Sequence, residues 1–262
     1  MTNISDFLSD IDPEKNHNLF RENENRCESY KLDTFISKFK SKNGELSVLT
    51  FNVRSYIKNF DEFFILLTQS KLKFDIIVLT ETWCNITDAQ LCYIEGYQGY
   101  HCFRKDKLGG GVSVFVADSM ISEPLNLNLC NSNIECLGVS VKLPNSDTIN
   151  IVGVYRPPMG SKPEFIEILE KIMRDHGLNK TKSLFMGDFN ICLAREYDQV
   201  SMDSSLANFF QGHYFIPLVT VPTRVTKNSS SIIDHIWSNV TTCSSSGAVT
   251  IEVTDHYPTF SV

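Results

Sequence analysis

The sequence has no long hydrophobic run and no segment that resembles a secretion signal. Its longest apolar runs are short pieces such as Phe63–Leu67, well below the roughly 18–20 uninterrupted apolar residues of a transmembrane helix. The first residues, Met1–Asp6, lack the basic segment and apolar stretch of a signal peptide. We therefore expect a protein that neither crosses a membrane nor is secreted, located in the nucleus or the cytoplasm.

Glycine and proline are sparse, with 13 and 9 residues among 262, whereas 42% of the residues are hydrophobic. This composition excludes a collagen-like, coiled-coil or disordered chain and is typical of a globular domain. Cysteine is present eight times, but without a Cys-x-x-Cys pair or a Cys/His spacing that resembles a zinc module. We expect reduced thiols that serve as small buried hydrophobes.

Basic residues are in the minority: 24 Lys and Arg stand against 31 Asp and Glu, which gives a net charge of −7. This balance excludes a strong, indiscriminate binder of polyanions. It does not exclude a protein with a local basic surface.

The pattern of apolar residues predicts one domain behind a leader. Residues 1–44 are polar and show no sustained period, so we predict a flexible or loosely docked leader followed by a domain over residues 45–262. Within that domain, strands are predicted at 46–51, 75–80, 111–116, 134–141, 148–155, 183–186, 232–237, 249–253 and 257–262, and helices near 60–67, 163–175 and 206–210. The order predicts an α/β (α+β) four-layer sandwich, with two mixed β-sheets face to face and helices outside.

Polar residues follow the predicted strands, at the places where loops converge and ligands bind in α/β sheets. Each of them alone is compatible with a turn or with a structural role. Taken together, they form a set with its own chemistry: Asn52, Glu81, Tyr155, Arg156, Asp188, Asn190, Asp234, Asp255 and His256.

This set suits metal-assisted hydrolysis of a phosphate ester. Glu81 and Asp255 are hard oxygen ligands of the kind that holds Mg²⁺, with Mn²⁺ as an alternative. Asn52 and Asn190 supply amides that orient a carboxylate or contact a phosphate oxygen. An aspartate at 234 fixes the tautomer of His256, and Asp188 remains as a second acid or base. Tyr155 and Arg156 donate to the phosphate oxygens as charge builds.

Six ordered motifs resemble the endonuclease/exonuclease/phosphatase superfamily: Thr50–Asn52, Leu79–Trp83, Val154–Pro158, Met186–Asn190, Ser231–Ile236 and Thr254–Pro258. The resemblance implies the same sandwich and a Mg²⁺-dependent phosphodiesterase. By position, it implies that Glu81 binds the metal with Asn52 and Asp255 beside it, and that Asp234 pairs with His256. It also implies that Asp188 and Asn190 contact the attacking water or the leaving group, and that Tyr155 contacts the phosphate.

Two features resemble one branch of that superfamily, the endonuclease domain of non-long-terminal-repeat retrotransposons. They are Tyr155, where other branches carry histidine, and the segment Arg104–Val112. The resemblance implies double-stranded DNA as substrate, and a reverse transcriptase on a longer parent polypeptide as partner. We expect a monomer whose DNA contacts come from Arg104, Lys105, Lys107, Arg156, Arg224 and Lys227.

A hairpin turn with solvated lysines is the structural alternative for residues 104–112. Arg54 departs from the acidic residue of apurinic/apyrimidinic endonucleases, which disfavours abasic-site repair.

Two other functions stay open at this point. The acidic composition favours a phosphatase or phosphodiesterase acting on a small molecule or a lipid head group. A decayed copy that only binds DNA is the other, although every catalytic position is filled.

Overall fold

The computed structural model of the chain describes residues 26–39, 46–70, 73–88, 90–105, 109–193, 206–240 and 245–262. The helices in these ranges are α1 (Leu32–Phe39), α2 (Tyr56–Ser70), α3 (Lys162–Asp175) and α4 (Leu206–Gly212). Across these described ranges, no helix has the length and apolar character needed to span a bilayer.

Two large sheets hold most of the strands. The first has seven strands in the order β1 (Cys27–Lys31), β14 (Ser246–Thr250), β15 (Thr259–Ser261), β2 (Val48–Asn52), β3 (Ile76–Thr80), β5 (Val112–Ala117) and β4 (Tyr97–Cys102). The second has six, in the order β10 (Ile216–Pro217), β13 (Asp234–Ser238), β9 (Ser183–Asp188), β8 (Thr148–Tyr155), β7 (Glu135–Lys142) and β6 (Ile121–Cys130). A separate hairpin joins β11 (Arg224–Val225) to β12 (Ser230–Ser231).

Three apolar layers separate the four structural layers. Alternate residues of the central strands point to opposite faces, as the period of a β-strand requires. In β3, Ile76 and Val78 enter the layer between the two sheets, whereas Ile77 and Leu79 face α1 and α2. On the other side, α3 and α4 pack against the outer face of the second sheet. The predicted four-layer α/β sandwich with two mixed sheets is confirmed.

Local sequence signals predict both ends of α3, the helix expected near 163–175. Ser161 caps the helix by accepting a hydrogen bond from the backbone N–H of Glu164, and Pro163 lies in the first turn. Gly177 follows the helix with a φ of +62°, a conformation that glycine adopts without strain. These signals mark both ends of the helix within a few residues.

The predicted flexible leader over residues 1–44 is wrong for the part that the structure describes. Residues 27–31 form β1, which pairs in parallel with β14 at the edge of the first sheet. In α1, Phe35 and Phe39 are buried beside Tyr30 and Phe260. A five-residue strand and an eight-residue helix are too short to produce a sustained period in the sequence. Their burial also depends on β14 and β15, which lie far along the chain. Residues 1–25 and 40–45 lie outside the described ranges.

The expectation that the cysteines are all reduced is wrong for one pair, because a disulfide joins Cys84 to Cys92. Both residues lie in the connection between β3 and β4, where hydrogen bonds from Asp88 N to Asn85 O and from Cys92 N to Asp88 O turn the chain back. Their spacing of eight residues carries no motif that would have shown this turn. Cys27, Cys102, Cys130, Cys136 and Cys192 are thiols outside this disulfide, and Cys243 lies outside the described residues.

Two long strands were missed because both lie at sheet edges. β4 and β6 expose many of their residues, so neither has the apolar run of a buried strand. β6 also contains Pro124 at an irregularity in its pairing with β7, and proline in a sheet is found at such edge positions.

The packing of α1 generates a stability prediction. Replacing Phe35 by Ala should lower the free energy of unfolding by about 3–5 kcal/mol, because the ring lies 4.7 Å from that of Phe260 and 5.0 Å from that of Phe39, centroid to centroid. Thr34→Ala, on the exposed face of the same helix, should change it by no more than about 0.5 kcal/mol. Urea unfolding followed by circular dichroism measures both, and equal effects would show that α1 does not belong to the core.

Candidate active site

Strand ends from both sheets meet at one end of the sandwich. Asn52 ends β2 and Asp188 ends β9, and Asn52 Nδ2 lies 2.8 Å from Asp188 Oδ2 although the two residues are 136 positions apart in the sequence. In the second sheet, Asp188 is paired in register with Tyr155 on one side and with Asp234 on the other. The fold therefore brings together residues that the sequence scatters over some two hundred positions.

Asp188 is the centre of this arrangement. It is only 1% exposed, and its carboxylate accepts hydrogen bonds from Asn52 Nδ2, from Asn190 N at 2.9 Å and from Asn190 Nδ2 at 3.3 Å. Burial and the nearby Asp234 raise the pKa of Asp188 to about 7, against the opposing effects of His256 and the hydrogen bonds. A carboxylate with such a pKa exchanges a proton readily near neutral pH.

His256 pairs with Asp234, as the sequence predicts. His256 Nδ1 lies 2.9 Å from Asp234 Oδ2 and 3.1 Å from Oδ1, which assigns the Nδ1 proton to this contact. Thr223 Oγ1 donates to the same carboxylate at 2.7 Å. Burial lowers the pKa of His256, but the charge of Asp234 and its hydrogen bond overcome that effect and raise it to about 9. The imidazole is therefore positively charged at neutral pH.

Glu81 lies beside Asp188 and shares a donor with it. Asn52 Nδ2 donates to Glu81 Oε1 at 2.8 Å as well as to Asp188, so that one amide bridges two carboxylates. Trp83 Nε1 donates to the other Glu81 oxygen at 3.2 Å. Glu81 itself has a φ of +51°, a backbone conformation that persists only where the surroundings enforce it.

Tyr155 lies at the base of the site and is nearly fully buried. Burial raises the pKa of its hydroxyl, and the negative charges of Glu81 and Asp188 raise it further. The phenol therefore stays neutral and keeps its proton for donation.

Asp255, expected to bind the metal beside Glu81, contacts two arginines instead. Arg54 Nη1 lies 2.9 Å from its Oδ1, and Arg224 Nε lies 2.8 Å from its Oδ2. Burial alone would raise the pKa of Asp255, but Arg224 and Arg54 hold it below its usual value. Arg224 Nε also donates a hydrogen bond to Oδ2, whereas Oδ1, although beside Arg54, is buried without a hydrogen-bond partner.

The residues expected to contact DNA divide into three groups. Lys105 and Lys227 are exposed, and Arg224 is partly exposed beside Asp255. Arg104 is turned inward to Glu135. Lys107 lies outside the described residues. This part of the site therefore carries less free positive charge than the sequence suggested.

Arg156, also expected to contact DNA, is buried in the structure. It is only 7% exposed, and its guanidinium donates to the backbone oxygens of Asn190 and Gly160 and lies over the ring of Phe165. The turn formed by Pro157–Gly160 folds back over the side chain and buries it. Arg156 therefore stabilises the two loops that frame Asp188.

The donor set fits a divalent cation. Glu81, Asp188 and the side-chain oxygen of Asn52 are hard oxygen ligands, and two carboxylates that share one neutral amide carry charge that a cation would neutralise. A second group of ligand atoms, from Asp188, Asp234 and His256, lies within 4.8 Å. Because Asp234 already holds the charged imidazole of His256, that group suits proton transfer better than metal binding.

Three residues of the site were missed at the level of sequence. Glu135 is fully buried at the start of β7 and is recognisable only as a lone charge at the head of an apolar strand. Trp83 lies two residues after Glu81 in the motif Leu79–Trp83, but only the glutamate was predicted to belong to the site. Thr223 has no sequence signal, since its contact with Asp234 depends on the position of the β11–β12 hairpin.

The charged His256–Asp234 pair predicts how stability depends on pH in EDTA. The pKa of His256 is about 9 in the folded protein against 6.5 ordinarily, so its contribution is complete below pH 6.5 and falls as pH rises toward 9. The difference in unfolding free energy between wild type and His256→Gln should shrink by roughly 2–3 kcal/mol over that range. Urea titrations at pH 6.0, 7.5 and 9.0 measure it, and a difference independent of pH would contradict the pairing.

Several solved structures share this fold. The endonuclease domain of TRAS1, a telomere-specific non-LTR retrotransposon, matches with a TM-score of 0.64 and 16% identity over 82% of this chain and 96% of that one. The 3′ phosphatase NExo from Neisseria, bound to a product DNA hairpin, matches at 0.61 and 16%, over 83% and 99%. An AP endonuclease from Archaeoglobus fulgidus matches at 0.58 and 16%, over 83% and 99%.

No curated protein sequence matches the chain. A family model, described as the Endonuclease/Exonuclease/phosphatase family, matches residues 49–256. That range contains every strand end of the site from Asn52 to His256, and it covers more than three quarters of the chain. The chain therefore belongs to the Endonuclease/Exonuclease/phosphatase family.

Proposed function

We propose that the protein is a Mg²⁺-dependent endonuclease that nicks double-stranded DNA. The observation that carries this proposal is the bridge from Asn52 to Glu81 and Asp188, set beside a charged His256–Asp234 pair. Members of the family hydrolyse phosphoester bonds, and this arrangement provides the groups that such a reaction needs. The exposed Lys105 and Lys227 and the half-exposed Arg224 support a DNA substrate over a small molecule.

Each residue has a role that follows from its environment. Asp188, with a pKa of about 7, accepts the proton of the attacking water. Asn190 donates to Asp188 and orients it. His256, charged at neutral pH, donates from Nε2 to a non-bridging phosphate oxygen and stabilises the charge that develops there. Tyr155 donates its phenolic proton to the same phosphate.

Glu81 and Asn52 would hold a divalent cation, with Asp188 beside them. When bound, Mg²⁺ or Mn²⁺ would polarise the phosphate and offset the negative charge of the leaving oxygen. Asp255 takes no part as a ligand in this proposal, because its two oxygens hold Arg54 and Arg224. Its role is to keep both guanidinium groups at the edge of the site.

In a cell, such a nick would leave a 3′ hydroxyl that a reverse transcriptase could extend. The TRAS1 domain belongs to a retrotransposon, and the likeness supports a related role for this chain inside the cell. We further propose that it acts as a monomer, since every residue named in the reaction comes from one chain.

Plasmid nicking tests the proposed reaction. Wild-type protein with Mg²⁺ should convert supercoiled plasmid to the open circular form, and EDTA should abolish the conversion. Asp188→Asn removes the proton acceptor and His256→Gln removes the charge, so each should slow nicking by at least about 100-fold. Asp61→Asn, an exposed aspartate on α2, is the control and should nick at the wild-type rate. Plasmid that stays supercoiled with wild-type protein and Mg²⁺ would refute the proposal.

A phosphatase is the second candidate, and one observation favours it: NExo, which shares the fold, is a 3′ phosphatase. End-labelled duplexes with an internal abasic site, with a 3′ phosphate or with neither separate the functions. We expect intact and abasic duplexes to be nicked at comparable rates, because Arg54 contacts Asp255 where abasic-site enzymes carry an acid. Release of phosphate without nicking would favour the phosphatase. Binding without any cleavage would favour a DNA-binding module that has lost its activity.

A further inference from the structure

Among the residues that the structure describes, the most deeply buried ion pair outside the proposed catalytic groups lies under the glycine loop 109–111. The side chain of Glu135 is 0% exposed. Its Oε1 accepts from the guanidinium of Arg104, and its Oε2 accepts from the backbone N–H of Gly111. A buried carboxylate with partners at both oxygens is strongly disfavoured when one partner is removed. The cost of burying this charge raises the question of what the pair holds in place.

The pair fixes the shape of the loop above it. Gly109, Gly110 and Gly111 have φ angles of +94°, +68° and +90°, which side chains other than glycine rarely adopt. A Cβ atom on Gly110 would lie 2.5 Å from both Arg104 Nε and Glu135 Oε1. The loop therefore rests directly on the ion pair at Gly110, where any side chain would collide with it.

The loop in turn holds the segment that follows Glu81. Gly110 O accepts from Trp83 N at 2.8 Å, and Gly111 O accepts from Thr82 N at 3.4 Å. Glu81 and Trp83 both have positive φ angles, +51° and +55°, although neither is glycine. Such a backbone is maintained only by contacts around it, and these two hydrogen bonds are the contacts that reach it from the glycine loop.

Trp83 completes the connection to the site. Its backbone is fixed by Gly110, and its indole Nε1 donates to Glu81 Oε2 at 3.2 Å. Glu81 Oε1 accepts from Asn52. The carboxylate is therefore held in one orientation by a donor from each side, and the Trp83 donor depends on the loop and the ion pair beneath it.

We propose that Arg104, Glu135 and Trp83 are positioning residues that fix the orientation of the Glu81 carboxylate for a divalent cation. None of the three touches the reacting atoms. They act through the glycine loop and through the indole N–H. Hydrogen-bonding partners of metal ligands commonly orient the ligand in this way. The inference rests on the proposed function, because the cation at Glu81 is part of that proposal.

Binding of Mn²⁺ to the full chain, measured by isothermal titration calorimetry without DNA, tests the inference independently of catalysis. Glu135→Gln keeps an oxygen for Gly111 N but loses the charge that holds Arg104, and Trp83→Phe keeps a ring but loses the N–H. Each should weaken Mn²⁺ binding roughly tenfold or more. Glu123→Gln, which removes an exposed acid on β6, is the matched control and should bind as wild type does. Circular dichroism at the titration temperature confirms that each variant is folded.

The outcomes separate the inference from the function on which it rests. Wild-type Mn²⁺ affinity in folded Glu135→Gln would overturn the role of the ion pair. If that variant does not fold, Trp83→Phe decides, because Trp83 is 38% exposed at the surface and wild-type affinity there would overturn the connection to Glu81. Wild-type protein that binds no Mn²⁺, or from which Glu81→Gln removes no binding, would overturn the proposed metal site itself.

Discussion

One hydrogen-bonding group, the side-chain amide of Asn52, joins the two sheets at the site. Its Nδ2 donates to Glu81 in the first sheet and to Asp188 in the second, each at 2.8 Å. Asn52 is fully buried, so the amide has no water to replace these acceptors. The distance between the two carboxylates is therefore set by the packing of one sheet on the other.

The apolar layer between the two sheets therefore controls that distance. Val48, Val78 and Val114 from the first sheet meet Val139, Ile151 and Met186 from the second. Stiff β-branched side chains dominate this contact, and close packing leaves the sheets little freedom to slide. The apolar layer thus sets the geometry of a polar site several residues away along each strand.

Much of this was predictable from the sequence, and the reason is local. Asn52, Glu81 and Asp188 each follow a strand whose apolar run is plain, so their position at a sheet end follows from strand geometry alone. Asp234 lies inside the predicted strand 232–237, and only the structure shows that it begins β13. The pairing of His256 with Asp234 followed from the motifs that carry them. The fold class was predictable for the same reason, since the central strands are buried and strongly patterned.

The remainder depended on contacts between distant residues. Asp255 has the chemistry of a metal ligand, and its ion pairs with Arg54 and Arg224 become visible only in the structure. Arg156 stands beside a catalytic position, yet the turn that follows buries it. α1 and β1 have the composition of a leader, and their place in the core depends on β14 and β15, more than two hundred residues later. The net charge of −7 does not show which charges are paired: Glu135 holds Arg104, and Asp255 holds Arg54 and Arg224.

The position of β15 has a consequence for the order of events during synthesis. This strand lies between β14 and β2, so the sheet that carries Asn52 and Glu81 stays divided until residues 259–261 have left the ribosome. Contacts between such distant parts of a chain form late and slowly. A nascent chain would therefore join β1 and β14 to the strands that carry Asn52 and Glu81 only after residues 259–261 have been synthesised.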